Sequence, residues 1–137
     1  LSLKGRGFVK PGNDPKKTFE KMLKFIDESI RAGKFDAVSS LVAAFPIPTS
    51  EGLLKKRAFR GFLKRAKKRL SPDAGFEKRV FEKLDDHRVV CMEDWPTADP
   101  SDAFTRWIFF RRIGKDWNLE MIFFSHNSGA SGSNGLS

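Results

Sequence analysis

Tyrosine is absent, cysteine occurs once and histidine only twice in this chain of 137 residues. Without tyrosine, no phenol can serve as acid, hydroxyl donor or nucleophile. The lone Cys91 excludes an internal disulfide and any site built from several cysteines. It alternates with apolar neighbours and reads as a small core residue. His87 and His126 lie far apart, one at a strand start and one near the tail, and both read as surface residues. No GxSxG, HExxH, Walker or GxGxxG pattern occurs, so the sequence assigns no catalytic residue, metal ligand or cofactor. No apolar run approaches the roughly 18 residues of a membrane span, and no signal peptide is visible. The chain opens on Leu1 rather than Met, which leaves open a soluble domain in the cytoplasm or one exported after loss of an N-terminal signal.

What is present fits one globular domain. Hydrophobic residues make up 39% and charged residues 31%, within the range of a soluble core-forming chain. Phe occurs 14 times, so that core is strongly aromatic. The formal charge of +9 attracts polyanions of any kind, whether nucleic acid, anionic lipid or an acidic partner.

The punctuation divides the chain into a flexible lead-in over 1–13, a single domain over 14–125 and a Gly/Ser-rich, disordered tail over 126–137. "DPKKTFEKMLKFIDESIRAG" predicts a helix. Asp14 caps it, Pro15 fits its first turn, and Gly33 closes it. Phe19, Met22, Leu23, Ile26 and Ile30 form its buried stripe. A shorter helix is expected over about 36–45, with Val38, Leu41, Val42 and Phe45 inward, stopped by Pro46 and Pro48. Ser50 reads as the cap of a third helix over 51–70, with Leu54, Ala58, Phe59, Phe62, Leu63, Ala66 and Leu70 inward. Ser71 and Pro72 repeat the cap signal before a fourth helical stripe of Phe76, Val80, Phe81 and Leu84. From His87 the pattern turns to strands, at 87–95, 103–113 and 117–125, with "PTADPSD" as a loop. The expected class is therefore α+β, with N-terminal helices packed on a small curved antiparallel sheet formed mainly by the C-terminal half.

"RAGKFDAVSSLV" after a long first helix, and "FFRRIGKDWNLEMIFF" with its Gly-containing turn before a Trp, resemble the NTF2-like (SnoaL-like, cystatin-type cone) superfamily. The resemblance covers about 14–45 and 87–124, and departs from the pattern over 51–85. It implies a cone-shaped pocket and pairing of two copies through their sheets. Some enzymes of that superfamily use a carboxylate in the cone, usually with a Tyr or His partner. Here Glu93 or Asp94 would be that carboxylate, as the base of a small-molecule lyase, isomerase or hydrolase, and the partner is missing.

The final hairpin is apolar on both faces. A three-residue connection, Gly114-Lys115-Asp116, sets Ile113 opposite Trp117, Phe109 opposite Met121 and Trp107 opposite Phe123, with Arg111 and Leu119 on the same face. That face is expected under the helices. The other face pairs Ile108 with Ile122, Arg106 with Phe124, Phe110 with Glu120 and Arg112 with Asn118. Ile108, Phe110, Ile122 and Phe124 make it too apolar for a solvated sheet face. A helix of the same chain, a second copy, or another protein or ligand is expected to cover it.

Three functions remain open at this level. A non-enzymatic domain would bind a small ligand or a protein partner, with Glu93, Asp94, Arg106, Trp107, Arg111 and Trp117 as ligand-binding candidates. Arg111 would then need a carboxylate partner, if it does not reach water at the sheet edge. A polyanion-binding protein, taking nucleic acid or an anionic membrane, would use "KKRAFRGFLKRAKKRL", in which nine of sixteen residues are basic. Those nine are Lys55, Lys56, Arg57, Arg60, Lys64, Arg65, Lys67, Lys68 and Arg69, and the plain alternative is a solvated helix face. The third function is catalysis by the carboxylate in the cone.

Overall fold

The computed structural model describes residues 15–70, 76–96 and 103–126. The lead-in, the Asp14 cap, the Ser71-Pro72 signal, most of the "PTADPSD" loop and nearly all of the tail lie outside them. Helix α1 (Pro15–Arg31) carries the anticipated stripe, with Phe19, Met22, Leu23, Ile26 and Ile30 all buried. It ends as expected at Gly33, whose φ of 75° lets Lys34 N–H reach back to the Ser29 carbonyl at 2.7 Å.

The following segment departs from the helical reading. Helix α2 covers only Phe35–Ser39. Beyond it the backbone is claimed by the sheet: Leu119 N–H donates to the Leu41 carbonyl at 2.7 Å and Ala43 N–H to the Leu119 carbonyl at 2.8 Å. Strands β1 (Ile47–Thr49) and β2 (Gly52–Leu54) then form a tight hairpin where the third helix was expected to begin. Thr49 is the reason. Its hydroxyl accepts from Glu51 N–H at 3.0 Å and donates to the Gly52 carbonyl at 2.9 Å, which fixes a turn rather than a helix start. Ser50 lies in that turn and accepts Phe124 N–H instead of capping. Helix α3 therefore spans Lys56–Arg69, with Phe59, Phe62, Leu63 and Ala66 buried, and Ala58 turns out exposed.

The expected fourth helix is a strand. β3 (Lys78–Asp85) pairs antiparallel with β4 (Arg88–Trp95), which pairs with β5 (Phe104–Ile113), which pairs with β6 (Asp116–His126). The whole sheet has six strands in the order β2-β1-β6-β5-β4-β3, antiparallel except where β1 runs beside β6. The curved sheet and the helices on its concave side confirm the α+β class.

The β5–β6 register matches expectation at its far end and not near the turn. Trp107 faces Phe123, Ile108 faces Ile122, and Phe109 faces Met121. Closer to the turn, Phe110 faces Leu119 and Ile113 faces Asp116, with a bulge that leaves Glu120 as the extra residue. The connection is thus the two residues Gly114-Lys115, with Gly114 at φ 64°. One bulge lets a short turn coexist with the register that the apolar residues demand.

The two faces are inverted relative to expectation. Ile108, Phe110 and Ile122 are fully buried beneath the helices, and Phe124 packs on Phe62 and Phe104 at 5.8 and 5.4 Å. These four side chains belong to the chain's own core, so they do not form an outer surface. Helix α1 supplies the cover through Phe19, whose ring centroid lies 5.1 Å from Phe110 and 4.9 Å from Trp117. Trp107, Phe109, Met121 and Phe123, assigned above to the helix side, point outward and are half-buried. The bulge is the cause for Trp117 and Leu119, which keep their place in the core while their former row-mates face out.

Candidate functional site

Strands β4 and β5 bring Glu93 and Arg106 side by side as Cα partners. Both are inner-face residues by alternation, and both are essentially inaccessible. Arg106 Nε donates to Glu93 Oε1 at 2.7 Å. Its terminal nitrogens reach Asp27 of α1, with Nη1 2.5 Å from Oδ1 and Nη2 3.2 Å from Oδ2, a fork-on-carboxylate geometry. The second oxygen of Glu93 is held by Arg79 of β3, with Nε at 2.7 Å and Nη2 at 2.6 Å. The Trp95 indole N–H donates to Glu93 Oε1 at 3.2 Å. Two stacking contacts complete the cluster: Arg106 lies 5.1 Å from the Trp95 ring, and Arg79 lies 3.7 Å from that of Phe76.

The electrostatics follow from this wiring. Burial alone would push the Glu93 carboxyl up. The charges of Arg106 and Arg79, with the hydrogen bonds from Trp95 and Arg79, outweigh it and leave the group below its ordinary value. Burial likewise works against the Arg106 charge, but Asp27 and Glu93 more than compensate and raise its pKa. Glu93 is therefore poorly placed to act as a base, because both its oxygens are committed to cations. Cys91, behind the network, is pushed up to about 12 by burial, with the Glu93 charge adding to it.

Above the network sits a half-open pocket of about 410 Å³, lined by Glu20, Lys24, Asp27, Glu28 and Arg31 of α1 with Phe76, Arg79 and Trp95 opposite. Of the six ligand-binding candidates, only Glu93 and Arg106 belong to the buried network, and neither lines the pocket itself. Asp94 points to the other side of the sheet, where Thr105 Oγ1 donates to it at 3.1 Å. Trp107 is on the outer face, and Trp117 is a core residue packed on Phe19. Arg111 is exposed at the hairpin end, 3.8 Å from Glu120, rather than buried among apolar residues. Two members of the network escape a reading based on motifs: Asp27 and Arg79. Asp27 had a signal, since it sits four residues after Leu23 and beside Ile26 on the buried stripe of α1, where an acid needs a partner. Arg79 had none while its segment read as a helix.

The basic residues occupy the solvent side of α3 and the residue before it. Lys55, Lys56, Arg57, Arg60, Lys64, Arg65, Lys67 and Lys68 are exposed, and Arg69 is half-buried above the rings of Phe104 and Phe124. Among the described residues, carboxylates reach this face through Asp36, 2.7 Å from Arg60, and Glu51, which holds Arg65. No group of His, Cys, Asp and Glu suited to a metal is present among the described residues, and no described helix is long and apolar enough to cross a membrane.

No protein-family model matches the chain, and no curated protein does. Solved structures do. A scytalone dehydratase-like protein from Novosphingobium aromaticivorans is 7% identical with a TM-score of 0.62, over 82% of this chain and 84% of the other. An NTF2-like protein of unknown function from Shewanella oneidensis is 16% identical with a TM-score of 0.61, over 82% and 99%. A calcium/calmodulin-dependent protein kinase II association-domain-like protein from Xanthomonas campestris is 15% identical with a TM-score of 0.60, over 86% and 91%. At such identities the likeness concerns the fold. The fold is the NTF2-like, cystatin-type cone.

Proposed function

We propose that this is a non-enzymatic binding domain of NTF2-like fold that associates with a second copy of itself through the outer face of its sheet. The observation that carries the reading is the composition of that face. Val80, Met92, Trp107 and Phe123 form one row across four strands, and Val90, Phe109 and Met121 form the next. All seven are half-buried or exposed in the single chain. Phe109 and Phe123 stack edge to face at 6.2 Å, so the rows form one continuous surface. An apolar patch of this kind is a liability unless something covers it.

Charge argues for a second copy as the cover. Around the apolar rows lie Lys78, Arg88 and Arg111 together with Glu82, Asp94 and Glu120. A rim carrying both signs can pair with itself across a two-fold axis, with an apolar centre as in stable interfaces. The name of the Xanthomonas campestris structure, an association domain, points to the same use of the fold. The cone mouth supports binding rather than catalysis, because Glu93 has no oxygen free of a guanidinium and its pKa is lowered away from neutrality. A small ligand would sit in the pocket between Phe76, Trp95 and α1.

Light scattering after size exclusion tests the proposal. The expected result is twice the chain mass for the wild type and the single chain mass for the double variant Trp107→Lys with Phe123→Glu, the variant retaining the wild-type circular dichroism spectrum. A monomeric wild type at high micromolar concentration overturns it. A second reading, polyanion binding along α3, is favoured by the exposed cations described above. The apolar face of α3 is already spent on the core, so this contact would be electrostatic and not an insertion into lipid.

A further inference from the structure

At the opposite end of the sheet from the Arg106 cluster, the β3–β4 and β5–β6 turns come together around a cleft of about 480 Å³ lined by Asp85, His87, Arg88, Arg111, Arg112 and Gly114. Its construction breaks a rule that the rest of the sheet obeys. Arg88 and Arg111 are direct cross-strand partners, and like charges in that position repel. Arg112 follows at once in the chain and is tied to the other turn, its N–H donating to the His87 carbonyl at 2.7 Å. Its guanidinium lies 3.5 Å from His87 Nδ1 and above the Trp117 ring at 5.9 Å.

The acids nearby hold these cations loosely. Glu120, the bulge residue, is 3.6 Å from Arg88 and 3.8 Å from Arg111, beyond hydrogen-bond length in both cases. Asp85 is 3.7 Å from Arg88 through one oxygen, while its other oxygen is occupied at 2.7 Å by His87 N–H. Arg112 Nε is buried and has no hydrogen-bond partner among the described residues. Arg106, by contrast, makes its ion pairs at 2.5 and 2.6 Å. Among the described residues, the ion pairs of the half-exposed Arg88 and Arg111 are thus longer than those of the buried Arg106.

We infer that the cleft between the two hairpin turns is an anion site for a phosphate group, gripped by the Arg88 and Arg111 guanidinium groups. Planar donors on directly paired positions of β4 and β5, Arg88 and Arg111, match the several oxygens of a phosphate better than a single carboxylate. An anion between Arg88 and Arg111 would add to the partial neutralisation that Glu120 gives this like-charged pair. His87, beside Arg112, lines the same cleft. The site is separate from the α3 cations and borders the apolar rows of the outer face, whose rim includes Arg88 and Arg111.

Titration calorimetry with pyrophosphate, with inorganic phosphate as the weaker homologue, tests the assignment on the full chain. Saturable binding by the wild type is expected, with a loss of about tenfold for each of Arg88→Gln and Arg111→Gln, since each removes a charge-assisted contact. Lys64→Gln with Lys68→Gln on α3 should leave it unchanged. Both cleft arginines are about half exposed, at 46% and 49% of the side chain, so their replacement should spare the fold. If a Gln variant does not melt cooperatively, Arg88→Lys and Arg111→Lys retain the charge and remove the fork, with weaker binding again expected. A parallel arm uses phosphatidylcholine vesicles with and without phosphatidic acid. Binding in the soluble arm identifies a free phosphate ligand, whereas binding confined to phosphatidic acid vesicles, and lost in the Gln variants, identifies a headgroup. Absence of saturable binding in both arms, or binding indifferent to Arg88 and Arg111, overturns the site.

Discussion

Arg106 is fully buried between Asp27 and Glu93, and its removal should tell more about the cone than any other single change. Arg106→Gln would leave two carboxylates facing each other with only Arg79 for compensation. Stranding a buried charge in this way costs about 3–5 kcal/mol, to be read as a fall in the urea midpoint. Glu93 makes a second prediction. Its folded pKa is depressed, so its contribution to stability is fully present above the ordinary carboxylate range and is lost as pH falls through the folded value. Unfolding free energy measured downward from neutral pH should therefore decline on the acid side. In Glu93→Gln the stability at neutral pH should be lower and the acid-side slope shallower, whereas an unchanged slope would remove Glu93 from the account. At this scale the sequence was only partly readable. Glu93 could be named from the resemblance, as a carboxylate of the cone, whereas the demand for a carboxylate partner was placed on Arg111 and belongs to Arg106. The partners themselves, Asp27 and Arg79, come from α1 and β3, 79 and 14 positions away from the groups they hold.

At the scale of elements, the errors have one physical origin: spacing within a segment does not reveal which distant backbone competes for it. Phe76, Val80, Phe81 and Leu84 recur at intervals that suit a helix, yet Lys78 to Asp85 is an edge strand. Its exposed Val80 and Leu84 face out, while Phe81 pairs with Cys91 and packs on Phe19 at 5.9 Å. The charges that made it look like a helix surface are what keeps an edge strand from pairing further. Leu41 to Ala43 also read as helix until the Leu119 backbone is in view. By contrast, α1 was legible end to end because its stripe and its Gly33 stop are local. The hairpin shows both cases at once. Gly114 takes a φ of 64°, which an L side chain adopts with strain, and nothing lies within 4 Å of a Cβ built there. Gly114→Ala should therefore cost about 1 kcal/mol through the backbone alone, with no steric clash, measured by chemical denaturation. A neutral or stabilising result would mean that the turn is not the one that enforces the Glu120 bulge.

For the whole molecule, the two proposed binding surfaces should respond oppositely to salt. Two chains that each carry +9 repel at long range, while the outer sheet face that would join them is apolar at its centre and mixed in sign at its rim. Added salt screens the repulsion, so self-association should hold or strengthen between low and moderate ionic strength. Contact of α3 with a polyanion should do the reverse. With duplex nucleic acid, log K should fall against log salt with a slope near −0.9 for each phosphate neutralised. Reversing the charges of Lys64, Arg65, Lys67 and Lys68 should flatten that slope and weaken binding at low salt by orders of magnitude, while leaving the dimer mass unchanged. Fluorescence anisotropy of a labelled duplex and light scattering, run over the same salt series, read the two surfaces separately. A slope indifferent to the four reversals would remove α3 from nucleic-acid contact and return its cations to the role of a solvated face. A dimer that dissociates with rising salt would show that the rim charges, rather than Trp107 and Phe123, hold the two copies together.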